Sequence, residues 1–356
     1  MLEAIRAAEN SIRLEMYIYT VCPIAIEFRD ALVAAAERGV RVDVLVDAFG
    51  SIGLADSFWD PLRGAGGEFH WFNPLKFHCC GFRNHRKLLV CDEERAFVGG
   101  FNISTEYQGD GVSKGWHDLG LQINGPMAKE LAGSFDTLFG LADFRHRRFT
   151  ALRRASLRKI VSTYDGQLIF GAPGRGPNYL KQALLADLAK AKTVQIICAY
   201  FLPIRPLRRA LGRVAKRGGK VQLILAGKSD VAISQLASRR FYSGFLRAGV
   251  NLYEYQPQIL HAKLFVIDDV VYVGSANLDR RSFYINYELM LRLPNSELAR
   301  QASQFFQRDL LLSQQIDPQT WRASRNFYNR CMEHLAFLLL ARLDPYIARW
   351  QLKILR

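Results

Sequence analysis

Two histidine-lysine-aspartate triplets with identical spacing are the residues in this sequence most able to do chemistry. In each triplet one residue separates the histidine from the lysine, and four apolar residues separate the lysine from the aspartate. The triplets are His85, Lys87 and Asp92, and His261, Lys263 and Asp268. One such match arises by chance in roughly a few per cent of chains of this size, and two at a repeat interval are far rarer. The spacing predicts one active site built from both copies.

Phosphodiester transfer is the chemistry that these residues suit. It needs a nucleophile, an acid for the leaving alkoxide, and positive charge around the phosphoryl oxygens. One histidine attacks phosphorus to give a covalent phosphohistidine, while the other protonates the leaving oxygen and later deprotonates the incoming alcohol. The two lysines hold the phosphate, together with polar side chains from the glycine-containing turn after each triplet. Those side chains are Asn102, Ser275 and Asn277. This scheme needs no metal and no other cofactor.

The elements that must position these groups form an internal repeat. In the first half, a strand around Ile12–Ile18 precedes a helix from about Pro23 to Gly39 and a second strand over 40–46. The same order recurs over residues 194–225, and the offset between copies is nearly constant along the chain. We therefore expect two α/β/α sandwich domains related by a pseudo-twofold axis, each with a mainly parallel sheet, and an active site at their interface.

Domain limits follow from a basic segment, 145–159, between the two halves. We predict an N-terminal domain over 1–150, a C-terminal domain over 151–320, and an amphipathic helical tail over 321–356. The basic segment is either a solvated charged helix or a lipid-facing patch. The tail either packs onto the protein or lies in a membrane interface, since it mixes aromatic, leucine and arginine residues.

The composition is that of a globular protein with polyanionic partners. The 356 residues are 49% hydrophobic and 23% charged, and 48 Lys and Arg against 33 Asp and Glu give a net charge of +15. Such a balance favours nucleic acid or anionic lipid. We expect neither a membrane-spanning segment nor a secretory signal in the sequence. The six cysteines lack metal-type spacing, and we expect reduced, mostly buried thiols.

With these motifs the sequence resembles the phospholipase D superfamily, and within it most resembles bacterial cardiolipin synthases. The likeness covers about residues 1–320. It is most specific at 84–90, 97–102, 116–118, 200–203, 260–263 and 274–279. Two departures stand out, namely Gly100 where the second copy has Ser275, and the short N-terminal stretch, because some members carry membrane-spanning helices there.

The resemblance also implies roles for individual residues. His85 corresponds to the nucleophile and His261 to the general acid/base. Asp118 and Glu288 match the acidic positions that orient the two histidines. The triplet aspartates, which the spacing alone groups with the catalytic residues, then have a structural role. Glu15 is left with two interpretations, a ligand-binding carboxylate or a paired structural one.

The leading hypothesis is phosphatidyl transfer between phosphatidylglycerol molecules to give cardiolipin. A hydrolytic phospholipase D uses the same residues, so water and alcohol remain alternative acceptors. A nuclease fits the charge, but the sequence has no evident aromatic-basic stacking stripe, which disfavours nucleic acid as a partner. A lipid-binding pseudoenzyme is disfavoured because both triplets are complete. We expect a peripheral enzyme on an anionic phospholipid membrane, on the cytoplasmic side, with no obligate protein partner.

Overall fold

The structure is a computed structural model that describes residues 1–74, 81–142, 158–174 and 176–343. Within these ranges the chain forms two mixed β-sheets flanked by helices.

The first sheet has six strands in the order β3-β2-β1-β4-β5-β6. The strands are β1 (Ser11–Met16), β2 (Arg41–Asp47), β3 (Glu68–Phe72), β4 (Leu88–Cys91), β5 (Arg95–Gly99) and β6 (Gly120–Asn124). Its helices are α1 (Leu2–Ala7), α2 (Pro23–Glu37), α3 (Asp60–Gly64) and α4 (Pro126–Ala142). Helix α2 starts with a proline at its first position, where a missing N–H costs nothing, and Gly39 follows its end with φ 88°.

The second sheet has nine strands in the order β15-β11-β10-β9-β12-β13-β14-β8-β7. The strands are β7 (Lys159–Ser162), β8 (Gln167–Gly171), β9 (Thr193–Cys198), β10 (Lys220–Ala226), β11 (Asn251–Tyr255), β12 (Lys263–Ile267), β13 (Val270–Gly274), β14 (Glu288–Pro294) and β15 (Ser313–Gln315). The helices are α5 (Tyr179–Lys190), α6 (Arg205–Lys216), α7 (Ala232–Arg239), α8 (Tyr242–Arg247), α9 (Arg280–Tyr284), α10 (Ser296–Leu311), α11 (Pro318–Ala323) and α12 (Phe327–Leu338), the last followed by a π-helical turn, Leu339–Leu343.

The predicted strand-helix-strand unit is confirmed in both halves, but the prediction of mainly parallel sheets is wrong. Among the strands of the described residues, only β1, β2 and β3, and likewise β9, β10 and β11, pair in parallel. Strands β4, β5 and β6 pair antiparallel, as do their counterparts β12, β13 and β14. For β4–β5 and β12–β13 the reason is the tight turn after each triplet, where Asp92, Glu93 and Asp268 have positive φ, because such a short connection forces antiparallel pairing.

A buried apolar cluster joins the two halves. It combines Val90 and Phe135 of the first half with Phe170, Leu289 and Leu291 of the second. Burial of about 25 cal/mol per Å² makes this apolar contact a principal source of cohesion between the halves. The two sheets are therefore held in a fixed relation, and residues at their shared boundary can form one site.

The predicted limit at 150/151 and most of the basic segment lie within 143–157, which is outside the described residues. Cys79, Cys80 and the tail beyond residue 343 are also outside them. The limit at 150/151 therefore stays a prediction, and the limit at 320/321, which falls within helix α11, stays one as well. Of the described cysteines, Cys22, Cys91 and Cys198 are free and buried as expected, whereas Cys331 is free and exposed. In the described part of the tail, α12 packs on α7 through Ala336 and leaves its other side exposed.

Candidate active site

Both histidine-lysine pairs lie at the same edge of their sheets. Strand β4 runs antiparallel to β1, with Leu88 opposite Glu15, so His85 and Lys87 lie at the carboxyl end of β1. In the second half Lys263 lies opposite Cys198 at the carboxyl end of β9. Ligand sites form at this edge of α/β sheets because the strand-to-helix loops converge there. The fold thus presents both pairs to one opening.

Each histidine is held by the opposite half of the molecule. The backbone N–H of His85 donates to the carbonyl of Tyr287 at 2.9 Å, and its Nδ1 lies 3.0 Å from Oε2 of Glu288. Likewise, the backbone N–H of His261 in the second half donates to the carbonyl of His117 in the first half at 2.7 Å.

The ring of His261 completes this exchange. Its Nδ1 lies 2.6 Å from Oδ2 of Asp118, the residue after His117. Because a carboxylate at Nδ1 fixes the tautomer and the ring direction, both histidines present Nε2 as the nitrogen available for reaction. A pair of carboxylates exchanged between halves was not derivable from spacing.

The Gly100 departure has a steric explanation. A Cβ at Gly100 would lie 2.3 Å from Oδ1 of Asp118, so no side chain fits while that carboxylate contacts His261. At the equivalent place in the second half, Ser275 is buried and its hydroxyl donates to Oε2 of Glu288. The shorter aspartate thus needs a glycine, and the longer glutamate is held by a serine.

The environments of the two carboxylates differ. Burial raises the pKa of Glu288 to about 7, and the Lys87 charge and the Ser275 hydrogen bond oppose this only in part. Burial also acts to raise the pKa of Asp118, but the charges of Lys263 and His261 prevail and lower it. Near pH 7 Asp118 is therefore ionised, whereas Glu288 is near its midpoint.

Both histidines are neutral near pH 7. Burial, reinforced by the charges of Lys87 and Lys263, holds the pKa of His85 well below its usual value. Burial and Lys263 also lower the pKa of His261, but there Asp118 acts in the opposite direction. Neutral His85 has a free lone pair, and only His261 has a carboxylate partner that is fully ionised near pH 7 and stabilises its protonated form.

The two lysines are completely buried beside the histidines. Lys87 Nζ donates to the carbonyl of His85 at 2.7 Å, and Lys263 Nζ lies near the carbonyl and ring of His261. Burial and the neighbouring Lys263 charge lower the pKa of Lys87 to about 7, and burial lowers that of Lys263 as well. An anionic group bound beside the two lysines would offset the repulsion through which the Lys263 charge lowers the pKa of Lys87.

A cavity of about 400 Å³ opens above both histidines. Tyr17 and Arg83 line it beside His85, where the Tyr17 ring packs edge-on at 4.9 Å between centroids. Tyr107 and Trp116 line it beside His261, and the Tyr107 hydroxyl lies 3.2 Å from Nδ1. The cavity thus has aromatic side chains beside both histidines and a guanidinium group beside His85.

The three side chains predicted to hold phosphate divide into two groups. Asn102 and Asn277 line the cavity. Their amide oxygens accept the backbone N–H groups of Ile18 and Tyr200, which anchors the turns to the segments that follow β1 and β9. Ser275 contacts Glu288 instead, so its placement supports an orienting role.

The triplet aspartates lie away from the cavity, at the opposite end of β4 and β12. Asp92 accepts the backbone N–H groups of Glu9, Asn10 and Ser11, and Asp268 accepts those of Lys192 and Thr193. They fasten the β4–β5 and β12–β13 turns to the starts of β1 and β9. This geometry contradicts grouping Asp92 and Asp268 with the catalytic residues, and it agrees with the structural role that the resemblance implied.

Two further residues have structural partners. Glu15 is fully buried, 3.0 Å from Arg86 and within hydrogen-bond distance of Asn84, which makes it a paired carboxylate. His117 contacts Asp309 through Nε2 at 2.8 Å and stacks on Tyr255.

Sequence reasoning missed Tyr107, Arg83 and Asp230 as cavity residues. Tyr107 and Asp230 lie in segments between strands, outside the triplets and the periodic elements, so no pattern in the sequence marks them. Arg83 directly precedes the first motif stretch, which was the one available signal.

Comparison with known proteins agrees with this geometry. A family model described as "Cardiolipin synthase, PLD-like domain" matches residues 1–139 and 184–310. The chain belongs to the cardiolipin synthase family. It is 32% identical to "Cardiolipin synthase 1" of Bacillus anthracis, over 95% of this chain and 69% of that protein. It is 33% identical to the cardiolipin synthase of Geobacillus kaustophilus, over 93% of this chain and 67% of that protein. As a member of this family it is a phosphatidyltransferase of the phospholipase D superfamily, which confirms the resemblance and the enzyme class.

Solved structures match the fold of this cardiolipin synthase family member. The crystal structure of a phosphatidylserine synthase from Haemophilus influenzae covers 98% of this chain and 91% of that one, with a TM-score of 0.74 and 17% identity. A polyphosphate kinase from Porphyromonas gingivalis covers 87% of this chain and 47% of its own, with a TM-score of 0.57 and 14% identity. The predicted two-domain phospholipase D-like architecture is confirmed. Within the described ranges, no helix is both long and apolar enough to cross a bilayer.

Proposed function

We propose that this enzyme transfers a phosphatidyl group from one phosphatidylglycerol to the hydroxyl of another through a phosphohistidine on His85. The observation that carries the proposal is the difference between the two histidine-carboxylate pairs. His85 has the more strongly lowered pKa, whereas His261 contacts Asp118, whose own pKa is lowered. The first pair suits a nucleophile and the second an acid/base.

The transfer takes two displacements. In the first, Nε2 of His85 forms a bond to phosphorus, the bond from phosphorus to the glycerol oxygen breaks, and protonated His261 gives its proton to that oxygen. In the second, His261 takes a proton from the acceptor hydroxyl, whose oxygen attacks phosphorus while the P–N bond breaks. Lys87, Lys263, Asn102 and Asn277 hold the phosphoryl oxygens, which gain charge in both transition states.

His261 must be protonated at the first step despite its lowered pKa. The bound phosphodiester supplies a negative charge close to the histidine, which raises the pKa of His261 in the complex. The ionised Asp118 adds to this effect at Nδ1. His85 has no ionised carboxylate of equally low pKa beside it and stays neutral, as a nucleophile requires.

The substrate assignment follows the names of the relatives and the charge of the chain. The relatives are named cardiolipin synthases, and a net charge of +15 suits an anionic lipid surface. We place the enzyme peripherally on the cytoplasmic side of the membrane. Hydrolysis with water as the acceptor uses the same groups and is the alternative outcome.

The test is to incubate purified enzyme with vesicles of phosphatidylglycerol labelled in the glycerol headgroup and in the acyl chain. Cardiolipin and released glycerol in equal amounts are the expected products. Phosphatidic acid without cardiolipin would show that the enzyme hydrolyses the lipid and does not transfer the phosphatidyl group. Cleavage of plasmid DNA without lipid turnover would overturn both lipid assignments.

A further inference from the structure

Several exposed apolar side chains lie near the mouth of the cavity. Val21 follows β1, Ile52 follows β2, and Val231 follows β10 in the order of the chain. Each therefore lies at the carboxyl edge where the histidines lie, and Val231 also lines the cavity. Their exposures run from 38% for Val231 to 72% for Ile52. The rim of the mouth is apolar in both halves of the molecule.

Helix α12 and its π-helical turn extend this rim. Leu340 and Ala341 line the cavity, so the end of the helix reaches the mouth. Leu335 and Leu339 lie one turn apart on the side away from the protein, 53% and 37% exposed, and Phe327 at the helix start is 83% exposed. Apolar side chains on one side of a helix, with the other side packed on the protein, are typical of interfacial helices.

Cations border this helix. Arg240 lies 5.2 Å above the Phe337 ring of α12, and Arg208 of α6 lies 4.6 Å above Phe241, whose ring packs against Phe337. Arg205 and Arg209 lie on the same turns of α6 and are exposed. After burial, it is the positive charges of Arg240, Arg205 and Arg209 that lower the pKa of Arg208. These guanidinium groups repel one another, and an anionic surface relieves that repulsion.

We propose that the rim face, defined as α12 with its π-helical turn and the loops at Val21, Ile52 and Val231, seats the enzyme on an anionic phospholipid bilayer with the cavity mouth toward the lipid. Leucines and isoleucine enter the headgroup region, and the α6 arginines contact lipid phosphates. The geometry explains how a two-chain lipid reaches buried histidines, since the headgroup enters the cavity while the acyl chains stay in the bilayer. The identity of the lipid rests on the proposed function, but seating itself does not require turnover.

Vesicle flotation with the full chain tests the proposal. The vesicles contain phosphatidylcholine alone or equal parts of phosphatidylcholine and phosphatidylglycerol. The variants are L335S/L339S and I52S, and the matched control is Y164S. Tyr164 is fully exposed in the β7–β8 hairpin, at the opposite end of the sheet from Glu288.

We expect each rim variant to bind phosphatidylglycerol vesicles about tenfold more weakly, since each loses apolar area that would enter the bilayer. Y164S should bind like the unaltered chain. Unaltered protein should bind phosphatidylcholine vesicles more weakly, by about fivefold for each cation near the surface. Unchanged vesicle binding in both rim variants, or an equal loss in Y164S, would overturn the proposal.

Two controls separate the possible failures. Turnover of short-chain phosphatidylglycerol dispersed below its micellar concentration should be unchanged in the rim variants, which shows that they fold and that their cavity is intact. Vesicle binding without cardiolipin formation by the unaltered chain would refute the proposed function and leave the seating intact. Sedimentation without lipid is the last control, because dimers lost in L335S/L339S together with unchanged vesicle binding would assign the face to a second copy.

Discussion

Glu288, at the start of β14, lies 3.0 Å from the ring of His85, which is 203 residues away in the first half. In the same way, Asp118 of the first half contacts the ring of His261 in the second half. Neither half contains a complete histidine-carboxylate pair, so the site exists only when the halves are packed together. The buried cluster that joins them therefore supports both stability and catalysis.

Glu288→Gln should remove a pH dependence from the reaction. In the unaltered enzyme kcat/KM should rise as pH increases through about 7, because ionised Glu288 is the better acceptor for the Nδ1–H of His85. The glutamine variant should lack this rising limb and be slower by about a hundredfold or more. The Ser275 hydrogen bond lowers the pKa of Glu288, so Ser275→Ala should move the limb to higher pH. An unmoved limb in both variants would contradict the assignment.

The same variant should change how stability depends on pH. The folded-state pKa of Glu288 is raised from 4.5 to about 7, so folded protein binds the proton more tightly. Its contribution to the free energy of unfolding is therefore present below about pH 4.5 and is lost as pH rises through about 7. The loss is on the order of 3 kcal/mol. Urea unfolding at pH 5 and pH 8 should show a smaller decrease for Glu288→Gln than for the unaltered chain.

A substrate whose leaving group needs no acid should distinguish the roles of the two histidines. With a phosphatidyl ester of p-nitrophenol, His261→Ala should still release a burst of p-nitrophenol as His85 is phosphorylated. His85→Ala should release none. His334→Ala, an exposed histidine, should behave like the unaltered enzyme. A burst from His85→Ala and none from His261→Ala would exchange the two roles.

Asp92→Ala should cost stability without abolishing turnover. The variant loses hydrogen bonds from three backbone N–H groups to a carboxylate, worth about 1–3 kcal/mol in the free energy of unfolding. Urea unfolding and phosphatidylglycerol turnover measure the two effects separately. Asp165→Ala, at an exposed hairpin carboxylate, is the control and should change neither. Lost turnover in a fully folded Asp92→Ala protein would assign this aspartate a catalytic part.

Gly100→Ala should reduce turnover by displacing a carboxylate. The added methyl group would lie 2.3 Å from Oδ1 of Asp118, which must then move away from His261. Gly133→Ala is the control, since its Cβ meets nothing within 4 Å in helix α4. That variant should keep its activity and gain about 0.5–1 kcal/mol of stability. Equal turnover in both variants would show that Asp118 need not hold its position.

The sequence by itself determined the reaction class and the repeated scaffold. The spacing within each triplet is covalently fixed, so it predicts a histidine and a lysine on one face of the chain wherever the triplet folds. The order of strand, helix and glycine stop is equally local, and α2 and α6 lie where it placed them. The family's most specific stretches are local for the same reason.

Only the tertiary structure decided how the halves complete each other. The exchange of Asp118 and Glu288, the role of Ser275 and the mixed direction of the sheets depend on contacts between residues far apart in the chain. The difference in pKa between Asp118 and Glu288 depends on burial and on which lysine lies nearby. Residue spacing determines neither of these. Two nearly identical motifs therefore become an asymmetric pair only when the packed interface gives each histidine its own surroundings.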